Sequence, residues 1–371
     1  MRTLTSTILG TILAFSTLPV FSGTTWAQDN SLKQGDSTIE VDSHSAVIGD
    51  EEIEKAVKSA LQRDTGWYPK LRLGGSAQLN YNKDVDGVTD GTAFTFGVYI
   101  KGALDAVYKN FEWQNKLEIE HQQTKTPSID EFIKSADKFD FQTLALFRIP
   151  KAEWVGPFAR FRLQTSLFPG HYISDEDTTV RFYKSDTKID EKSDEKFVRD
   201  PQQVLSQQSI KLSSAGEPLV LSESAGFFFN PYSHEMLTVN IKVGAAGQHL
   251  IADGGYVSFD DDDDDAYYDV RQLVDTNSVG VEGEIELTGV FVNYVNWSLS
   301  GNIYYPCATD EDHGLDGADL IHSDIAAKIS VKLASWASLD YTLTAKLAPF
   351  VTEKWQITNT LLFNLGFDVF K

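Results

Sequence analysis

Cysteine is almost absent from the sequence, since Cys307 is the only one in 371 residues. A disulfide within the chain is therefore excluded. Positive charge is also scarce, because 32 lysines and arginines stand against 54 aspartates and glutamates and leave a net charge of −22. Such a chain is unsuited to nucleic acid, whose phosphates bind basic surfaces. We therefore expect no nucleic-acid partner.

Long apolar runs are missing as well. The run at residues 8–21 follows Arg2 and leads into small residues that end at Ala27. It is too short and too interrupted for a transmembrane helix, and its flanks are typical of a secretory signal peptide. We predict a signal peptide at residues 1–27. Because no later run reaches about 18 apolar residues, we expect any membrane crossing to be made by strands.

Signatures of catalysis are also missing. The sequence has no phosphate-binding loop, no zinc-ligand spacing and no nucleophile elbow. A barrel phospholipase needs a histidine and a serine together near the outer rim. His121 and His249 fall on apolar strand faces, but neither has a His-x-Ser pair. We predict that the protein is not an enzyme and holds no cofactor, with calcium as the one exception considered below.

The sequence does contain a period of two. In LRLGGSAQLNYN (residues 71–82), apolar or small residues alternate with Arg72, Ser76, Gln78 and the asparagines. Successive strand side chains point to opposite faces, so the pattern predicts a strand with one apolar and one polar face. One such strand fits two folds. A soluble sandwich would bury its apolar face, whereas a membrane barrel would turn it toward lipid.

The same alternation recurs along the chain. The predicted strands are residues 71–82, 92–108, 111–122, 138–149, 158–168, 218–230, 237–249, 278–291, 293–305, 322–334, 339–347 and 355–369. Their connections alternate between long and short, with only the last hairpin (348–354) breaking the rule, as expected for long outer loops and short periplasmic turns. We predict an all-β fold, a transmembrane antiparallel β-barrel of about twelve strands at residues 70–371.

Residues 28–69 are predicted to form a polar leader on the periplasmic side. Within it, DEEIEKAVKSALQRD (residues 50–64) places its apolar side chains on one helical stripe and acids in its first turn. This pattern predicts a short N-terminal periplasmic helix. The helix would either pack against the barrel rim as a small lid or dock as a plug or partner-binding element.

The polar strand faces carry charges of both signs. Facing hydrocarbon, each charge would cost about 2–4 kcal/mol, so we expect these side chains to face the lumen. The predicted lumen-facing residues are Arg72, Lys101, Glu118, Arg148, Arg160, Arg162, Lys242, Glu282, Glu284 and Glu286. Their near balance of sign is compatible with ion-pair networks that fill the interior and with a conducting lumen.

The predicted outer loops hold the excess of acids. Six consecutive aspartates occupy residues 260–265, DEDHGLDGAD occupies residues 310–319, and NKDVDG (residues 82–87) matches the opening of a calcium loop. That match ends at Ala93, where the loop needs a glutamate. The loops are either solvated like-charge segments or a site for Ca²⁺ or a cation bridging to lipopolysaccharide. The candidate ligands are Asp84, Asp86, Asp260, Asp262, Asp264, Asp310 and Asp312.

Three segments resemble a family of uncharacterised exported bacterial β-barrel proteins, a porin-like domain of unknown function. They are WQNKLEIE (residues 113–120), SADKFDF (residues 135–141) and FRLQTSLFPG (residues 161–170). The resemblance covers about residues 67–371 and implies a barrel without a catalytic residue. The last strand is similar to the outer-membrane assembly signal, although Phe370 is penultimate and Lys371 follows it. This similarity implies recognition by the barrel-assembly machinery.

These observations predict a Gram-negative outer-membrane protein in contact with lipid and lipopolysaccharide. Its predicted function is porin-like passive passage of small solutes, or a surface or structural role. The alternative is a closed barrel whose acidic outer loops bind divalent cations, lipopolysaccharide or a partner protein. The sequence leaves the oligomeric state open.

Overall fold

The computed structural model describes residues 64–82, 91–187, 192–234, 236–258, 267–292, 294–310, 317–349 and 352–370. Within these ranges, no helix has the length and apolar character that a membrane span requires. Several predicted features lie outside the described residues: the signal peptide, the leader up to residue 63 with almost all of its helix, and Asp84, Asp86, Asp260, Asp262, Asp264 and Asp312.

The strands of the described chain are numbered in order. They are β1 (Gly66–Asn82), β2 (Gly91–Tyr108), β3 (Phe111–Lys125), β4 (Ile133–Phe147), β5 (Val155–Thr165), β6 (Gly170–Ile173), β7 (Thr178–Tyr183), β8 (Phe197–Val204), β9 (Ser209–Ser213), β10 (Leu219–His234), β11 (Leu237–Ile251), β12 (Tyr256–Ser258), β13 (Tyr267–Gln272), β14 (Thr276–Val292), β15 (Val295–Thr309), β16 (His322–Ala334), β17 (Ala337–Ala348) and β18 (Thr352–Phe370). Short 3-10 helices span Asp194–Lys196 and Gly317–Leu320.

Twelve of these strands close into one barrel. The order around the ring is β1-β18-β17-β16-β15-β14-β11-β10-β5-β4-β3-β2, and every neighbouring pair is antiparallel. The closed ring confirms the predicted twelve-stranded barrel. Closure leaves no unpaired strand edge, which a sheet in hydrocarbon cannot tolerate.

The seam between the first and last strands is filled by a tyrosine from the next strand. A Cβ atom on Gly74 of β1 would lie 2.3 Å from the Tyr99 ring, and one on Gly366 of β18 would lie 2.6 Å from the Tyr99 hydroxyl. That hydroxyl donates a hydrogen bond to the Leu365 carbonyl oxygen, at 3.2 Å. The two glycines are therefore required by the close approach of the aromatic ring, as in other sheets where an aromatic covers a glycine.

The outer surface of the barrel is apolar. Along β2 exposed and buried residues alternate, and Val98 on the outer face is 62% exposed while Tyr99 beside it is buried. Aromatic side chains gather outside at both strand ends. At the end with the short turns they are Trp67, Tyr108, Phe111, Trp113, Phe147, Trp154, Tyr232, Phe291, Tyr294, Trp336 and Phe367, and near the long loops Phe94, Phe96, Phe132, Phe168, Tyr305 and Trp355.

An apolar band between two aromatic girdles is the surface of an outer-membrane barrel. The fold class and the outer-membrane location therefore agree with the sequence prediction. Outer-membrane barrels have short periplasmic turns and longer extracellular loops, so the edge with the short turns corresponds to the periplasmic side and the long connections correspond to the outer side.

Two of the long connections fold together at the outer side into a structure that we call the cap, residues 166–187, 192–218, 252–258 and 267–275. One sheet of the cap has the order β12-β13-β7-β8, and a second pairs β6 with β9. The contact between the two connections is the parallel pair β7–β13, for example Val180 beside Tyr268. The strands of residues 170–213 (β6 to β9) all belong to the cap, so they leave the barrel count at twelve.

Candidate functional site: the ion-paired lumen

The inner face of the barrel carries the predicted charged residues, and neighbouring strands bring opposite charges together. From β2 to β5, one chain of ion pairs follows the wall. Lys101 Nζ lies 2.8 Å from Glu118 Oε1, and Lys138 Nζ lies 3.3 Å from Glu118 Oε2 and 3.5 Å from Asp140 Oδ2. Arg162 completes the chain, donating from Nε to Asp140 Oδ1 at 2.9 Å. Each link joins residues on the same or adjacent strands.

A second group of charges joins strands that are not neighbours. Arg160 on β5 donates to both carboxylate oxygens of Glu282 on β14, at 2.8 and 2.7 Å, and to Glu284 Oε2 at 2.5 Å. Lys242 on β11 pairs with the same Glu284. These four side chains are almost completely buried, with exposed fractions from 0% to 13%. Two cations and two anions thus form a charge-balanced quartet on the inner wall.

The remaining predicted lumen residues lie elsewhere on the inner side. Glu286 accepts a hydrogen bond from Asn240 Nδ2 at 3.3 Å. Arg72 lies 3.7 Å from Asp368 Oδ1 across the closing seam. Arg148 was predicted to lie within a strand, but β4 ends at Phe147, so Arg148 lies just beyond it at the periplasmic edge. There it pairs with Glu112 at 3.6 Å and stacks over the Phe228 ring, 5.4 Å from its centroid.

One buried ion pair on the opposite wall was not among the predicted site residues. Lys328 Nζ lies 2.8 Å from Asp340 Oδ2, and Ser330 Oγ donates to Asp340 Oδ1 at 2.6 Å. Lys328 and Asp340 both occupy polar positions of alternating strands, so the alternation itself was the signal for them. Their pairing depends on the β16–β17 register.

Sequence reasoning missed an apolar patch on the inner wall near the periplasmic edge. Leu144 and Leu146 of β4, Phe158 of β5 and Phe228 of β10 form one buried cluster. The available signal was the run from Leu144 to Phe147, where apolar residues occupy both strand faces. The inner wall, which carries charged side chains at other levels, is therefore apolar at this level on one side.

The cap lies across the outer mouth. Val220 and Leu250 face inward at the outer ends of β10 and β11, and Ala348 ends β17, four strands from β11 around the ring. All three belong to one buried cluster with Ala252, Val257 and Leu273 of the cap. The cap residues Ala252, Val257 and Leu273 thus share one buried cluster with two separate parts of the wall.

A further long connection fastens the cap from its other side. Gln207 donates from Nε2 to the Ser128 carbonyl oxygen at 2.9 Å and accepts from the Asp130 amide at 2.8 Å. Lys134 Nζ donates to the carbonyl oxygens of Phe168 and Pro169, at 3.0 and 3.1 Å. The connection between β3 and β4 and the start of β4 are therefore joined to the cap by several hydrogen bonds.

Asp310 is the one predicted cation ligand within the described residues. It accepts hydrogen bonds from the backbone amide and the Nδ2 of Asn277, at 2.6 and 2.5 Å. Within the described ranges, no group of three His, Cys, Asp or Glu side chains is placed to hold a metal ion. The cation site thus stays a prediction, since its other ligands lie outside those ranges.

The two histidines near the outer rim are bound to amides, a carboxylate and an aromatic ring. His249 places Nδ1 2.7 Å from Asn277 Oδ1 and Nε2 2.9 Å from Glu223 Oε1. The His121 ring lies 4.8 Å from the Phe168 ring, and its Nε2 lies 3.3 Å from Gln123 Nε2. Neither set of contacts contains the hydroxyl nucleophile that a barrel hydrolase needs.

No protein-family model matches the chain, and no curated protein matches it by sequence. Among solved structures, an outer-membrane channel from Pseudomonas putida F1 is similar over 83% of this chain and 96% of its own, with 7% identity and a TM-score of 0.38. The translocator domain of the autotransporter NalP from Neisseria meningitidis is similar over 85% of this chain and 93% of its own, with 8% identity and a TM-score of 0.36. The toluene transporter TodX from P. putida is similar over 85% of this chain and 92% of its own, with 9% identity and a TM-score of 0.34. At these values the similarities assign no function to the chain.

Proposed function

We propose that the protein provides a narrow, passive, porin-like pathway for small polar solutes across the outer membrane. The observation that carries this proposal is the closed wall, which is apolar outside and lined by paired charges inside. Twelve strands enclose a narrower lumen than the 16–18 strands of the large porins. The apolar inner patch and the cap narrow the pathway further, so only small solutes would pass.

A planar-bilayer recording tests the proposal. Purified protein should give discrete conductance steps, because each inserted barrel adds one pathway. Since the quartet of Arg160, Lys242, Glu282 and Glu284 is charge-balanced, we expect weak discrimination between potassium and chloride. Protein that inserts but stays silent at every salt concentration and voltage would contradict passive passage.

A second candidate function is binding at the outer surface, and the folded cap favours it. A folded cap presents a defined surface, and the acidic Asp310 is hydrogen-bonded to Asn277, just after the cap segment at residues 267–275. Binding of calcium would raise the melting temperature of the protein, as for any ligand that binds only the folded state. We expect this rise to be smaller for Asp310→Asn than for the unaltered protein. A melting temperature that ignores millimolar calcium would contradict a calcium-bound cap.

Further parts of the proposal concern classification and partners. We infer that the chain has no enzymatic activity and belongs with the exported barrel proteins that residues 113–120, 135–141 and 161–170 resemble. Its surroundings would be outer-membrane lipid and lipopolysaccharide, and the barrel-assembly machinery would insert it. Fractionation after depletion of that machinery tests the last point, because unassembled chains would then disappear from the outer membrane.

A further inference from the structure

Arg160 and Arg162 lie two residues apart on the inner face of β5, yet they bind carboxylates in opposite directions. Arg162 turns toward the neighbouring strand β4, where it pairs with Asp140 at 2.9 and 2.5 Å. Arg160 turns away from β4 and reaches Glu282 and Glu284 on β14. The order of strands on that side is β5-β10-β11-β14, so Arg160 passes over two complete strands.

The span of this contact is large for a pair of side chains. Neighbouring strands lie about 4.8 Å apart, so three intervals amount to about 14 Å along the wall. An arginine and a glutamate can close that distance only when both are extended along a chord of the curved wall. Arg160 therefore stands off the wall inside the barrel, whereas Arg162 lies along it.

The wall beneath the chord is built from small residues. In register with Arg160 are Ser224 of β10 and then Ala246 of β11, and in the next inner row Gly226 stands beside Gly244. A Cβ on Gly226 would lie 2.1 Å from the Val243 carbonyl oxygen and 2.5 Å from the Gly244 Cα. Gly226 is therefore required by the close approach of the β10 and β11 backbones. The small side chains of Ser224 and Ala246 leave room for Arg160 to cross.

Arg160 also determines the local charge. It is one of the two cations that balance Glu282 and Glu284, and it donates three hydrogen bonds to them, while Lys242 donates to Glu284. Loss of Arg160 would leave Lys242 as the remaining cation of the quartet, against two carboxylates. The same loss would remove the side-chain contact that crosses the lumen from β5 to β14, and it would widen the lumen at this level.

We propose that Arg160 is the selectivity-determining residue of the lumen, a strut that narrows the pathway beside β10 and β11 and cancels the charge of Glu282 and Glu284. This inference rests on the proposed passage of solutes. It goes further by naming a charged level at which a side chain crosses part of the lumen, and the sign of the discrimination that Arg160 suppresses. A lumen without the strut would select small cations.

The test compares Arg160→Ser with Arg162→Ser in planar bilayers under a potassium chloride gradient. Both variants lose one positive charge from the same face of β5, but only Arg160→Ser removes the contact that crosses from β5 to β14. Asp140 keeps Lys138 at 3.5 Å in the second variant. We expect Arg160→Ser to show a larger single-channel conductance and a reversal potential shifted toward that of potassium. Arg162→Ser should change both quantities less.

The outcomes separate the strut from the passage itself. Equal shifts in the two variants would mean that only the charge count matters and would overturn the strut. A conducting parent with an unchanged Arg160→Ser variant would overturn the strut and leave the passage intact. A silent parent with a conducting Arg160→Ser variant would support the strut and contradict native passage. Silence in both would overturn both.

A conservative variant keeps the test decisive if Arg160→Ser does not fold. Folding is checked by the anomalous migration of unheated barrels on a denaturing gel. Arg160→Lys keeps the charge but cannot donate in bidentate fashion to Glu282. We expect it to raise the conductance with little change in the reversal potential. A Lys variant identical to the parent in both quantities would overturn the strut.

Discussion

The lumen and the cap are held together by different interactions. The lumen is lined by charges in pairs and chains, such as Lys101, Glu118, Lys138 and Asp140. The cap has an apolar core of Tyr172, Val180, Phe182, Val204, Leu212, Tyr268 and Val270. The membrane explains the difference. The barrel places most of its apolar residues on the lipid face, so its inner face carries mainly polar ones. The cap lies outside the membrane and buries its apolar residues in a core, as a soluble domain does.

Each region also contains one exception that resembles the other. The apolar patch of Leu144, Leu146, Phe158 and Phe228 interrupts the polar lumen. In the cap, the carboxylate of Asp269 is completely buried and paired with Arg181, at 2.5 and 2.8 Å, and with Lys192 at 2.9 Å. Asp269 lies on β13 and Arg181 on β7, so this ion pair crosses the boundary between the two connections that form the cap.

The largest difference between the regions should follow from removing a core aromatic of the cap. Phe182 is fully buried in β7. Phe182→Ala should destabilise the cap by about 3–5 kcal/mol, because the lost contacts leave a cavity. The barrel should keep its gel mobility, since its ring of strands does not include β7. Limited proteolysis of folded protein measures the effect as faster cleavage within residues 166–218. Unfolding of barrel and cap together would contradict this independence.

The next effect in size concerns the buried carboxylate of the cap. Asp269→Asn keeps the shape of the side chain but removes the charge that Arg181 and Lys192 share. We expect a loss of about 1.5–3 kcal/mol, the range for hydrogen bonds to charged groups, because Arg181 is partly exposed and retains some hydration. Hydrogen exchange at the amides of β7 and β13 measures this loss. Faster exchange in the barrel strands instead would place the effect in the wrong region.

The barrel could be predicted from sequence because most of its strands carry their environment in their own alternation of apolar and polar residues. Residues 71–82 are one example, where the apolar positions Leu73 and Leu79 are exposed on the outside and Ser76 is buried. The cap could not be predicted in this way. Its central contact is a parallel pair between residues 179–183 and 267–271, from two different loops. In β13, residues 268–271 are all buried, so this strand carries no alternation of apolar and polar residues.

The candidate site was predictable in part for the same reason. Alternation indicated which charged residues share a face, but the partner of each charge depends on strand register and on distance around the ring. Arg162 and Asp140 lie on adjacent strands, a pairing that register permits. Arg160 and Glu282 are 122 positions apart. Nothing in the local sequence of β5 or β14 indicates that the arginine side chain will reach across the two strands between them, β10 and β11.

A smaller effect should distinguish the regions by pH. Burial raises the pKa of Tyr183 in the cap above the ordinary 10.0, and the nearby Asp269 carboxylate raises it further. The folded cap therefore keeps this phenol protonated where the unfolded chain would lose the proton. The corresponding stability is fully present below 10.0 and is lost as the pH rises through the folded pKa.

Tyr183→Phe is the matched variant for this pH dependence. Lysines also titrate in this range, but they are common to both proteins, so the difference between parent and variant isolates Tyr183. We expect proteolysis of the parent cap to accelerate more steeply above pH 10.0 than that of Tyr183→Phe. Parallel pH profiles for the two caps would refute the role of Tyr183.

The smallest effect should come from an accessible ion pair of the lumen. Lys101 and Glu118 are 34% and 21% exposed, and Glu118 keeps Lys138 at 3.3 Å. Lys101→Met should therefore change the free energy of barrel unfolding by only about 0–1 kcal/mol. Lys328→Met provides the comparison, because Lys328 and Asp340 are 6% and 11% exposed and the lost hydrogen bond to a charged group is worth about 1.5–3 kcal/mol. Urea unfolding in detergent micelles measures both. If the two variants lowered the free energy of unfolding equally, the paired charges would stabilise the barrel irrespective of their access to water. The lumen would then resemble the cap more than its composition suggests.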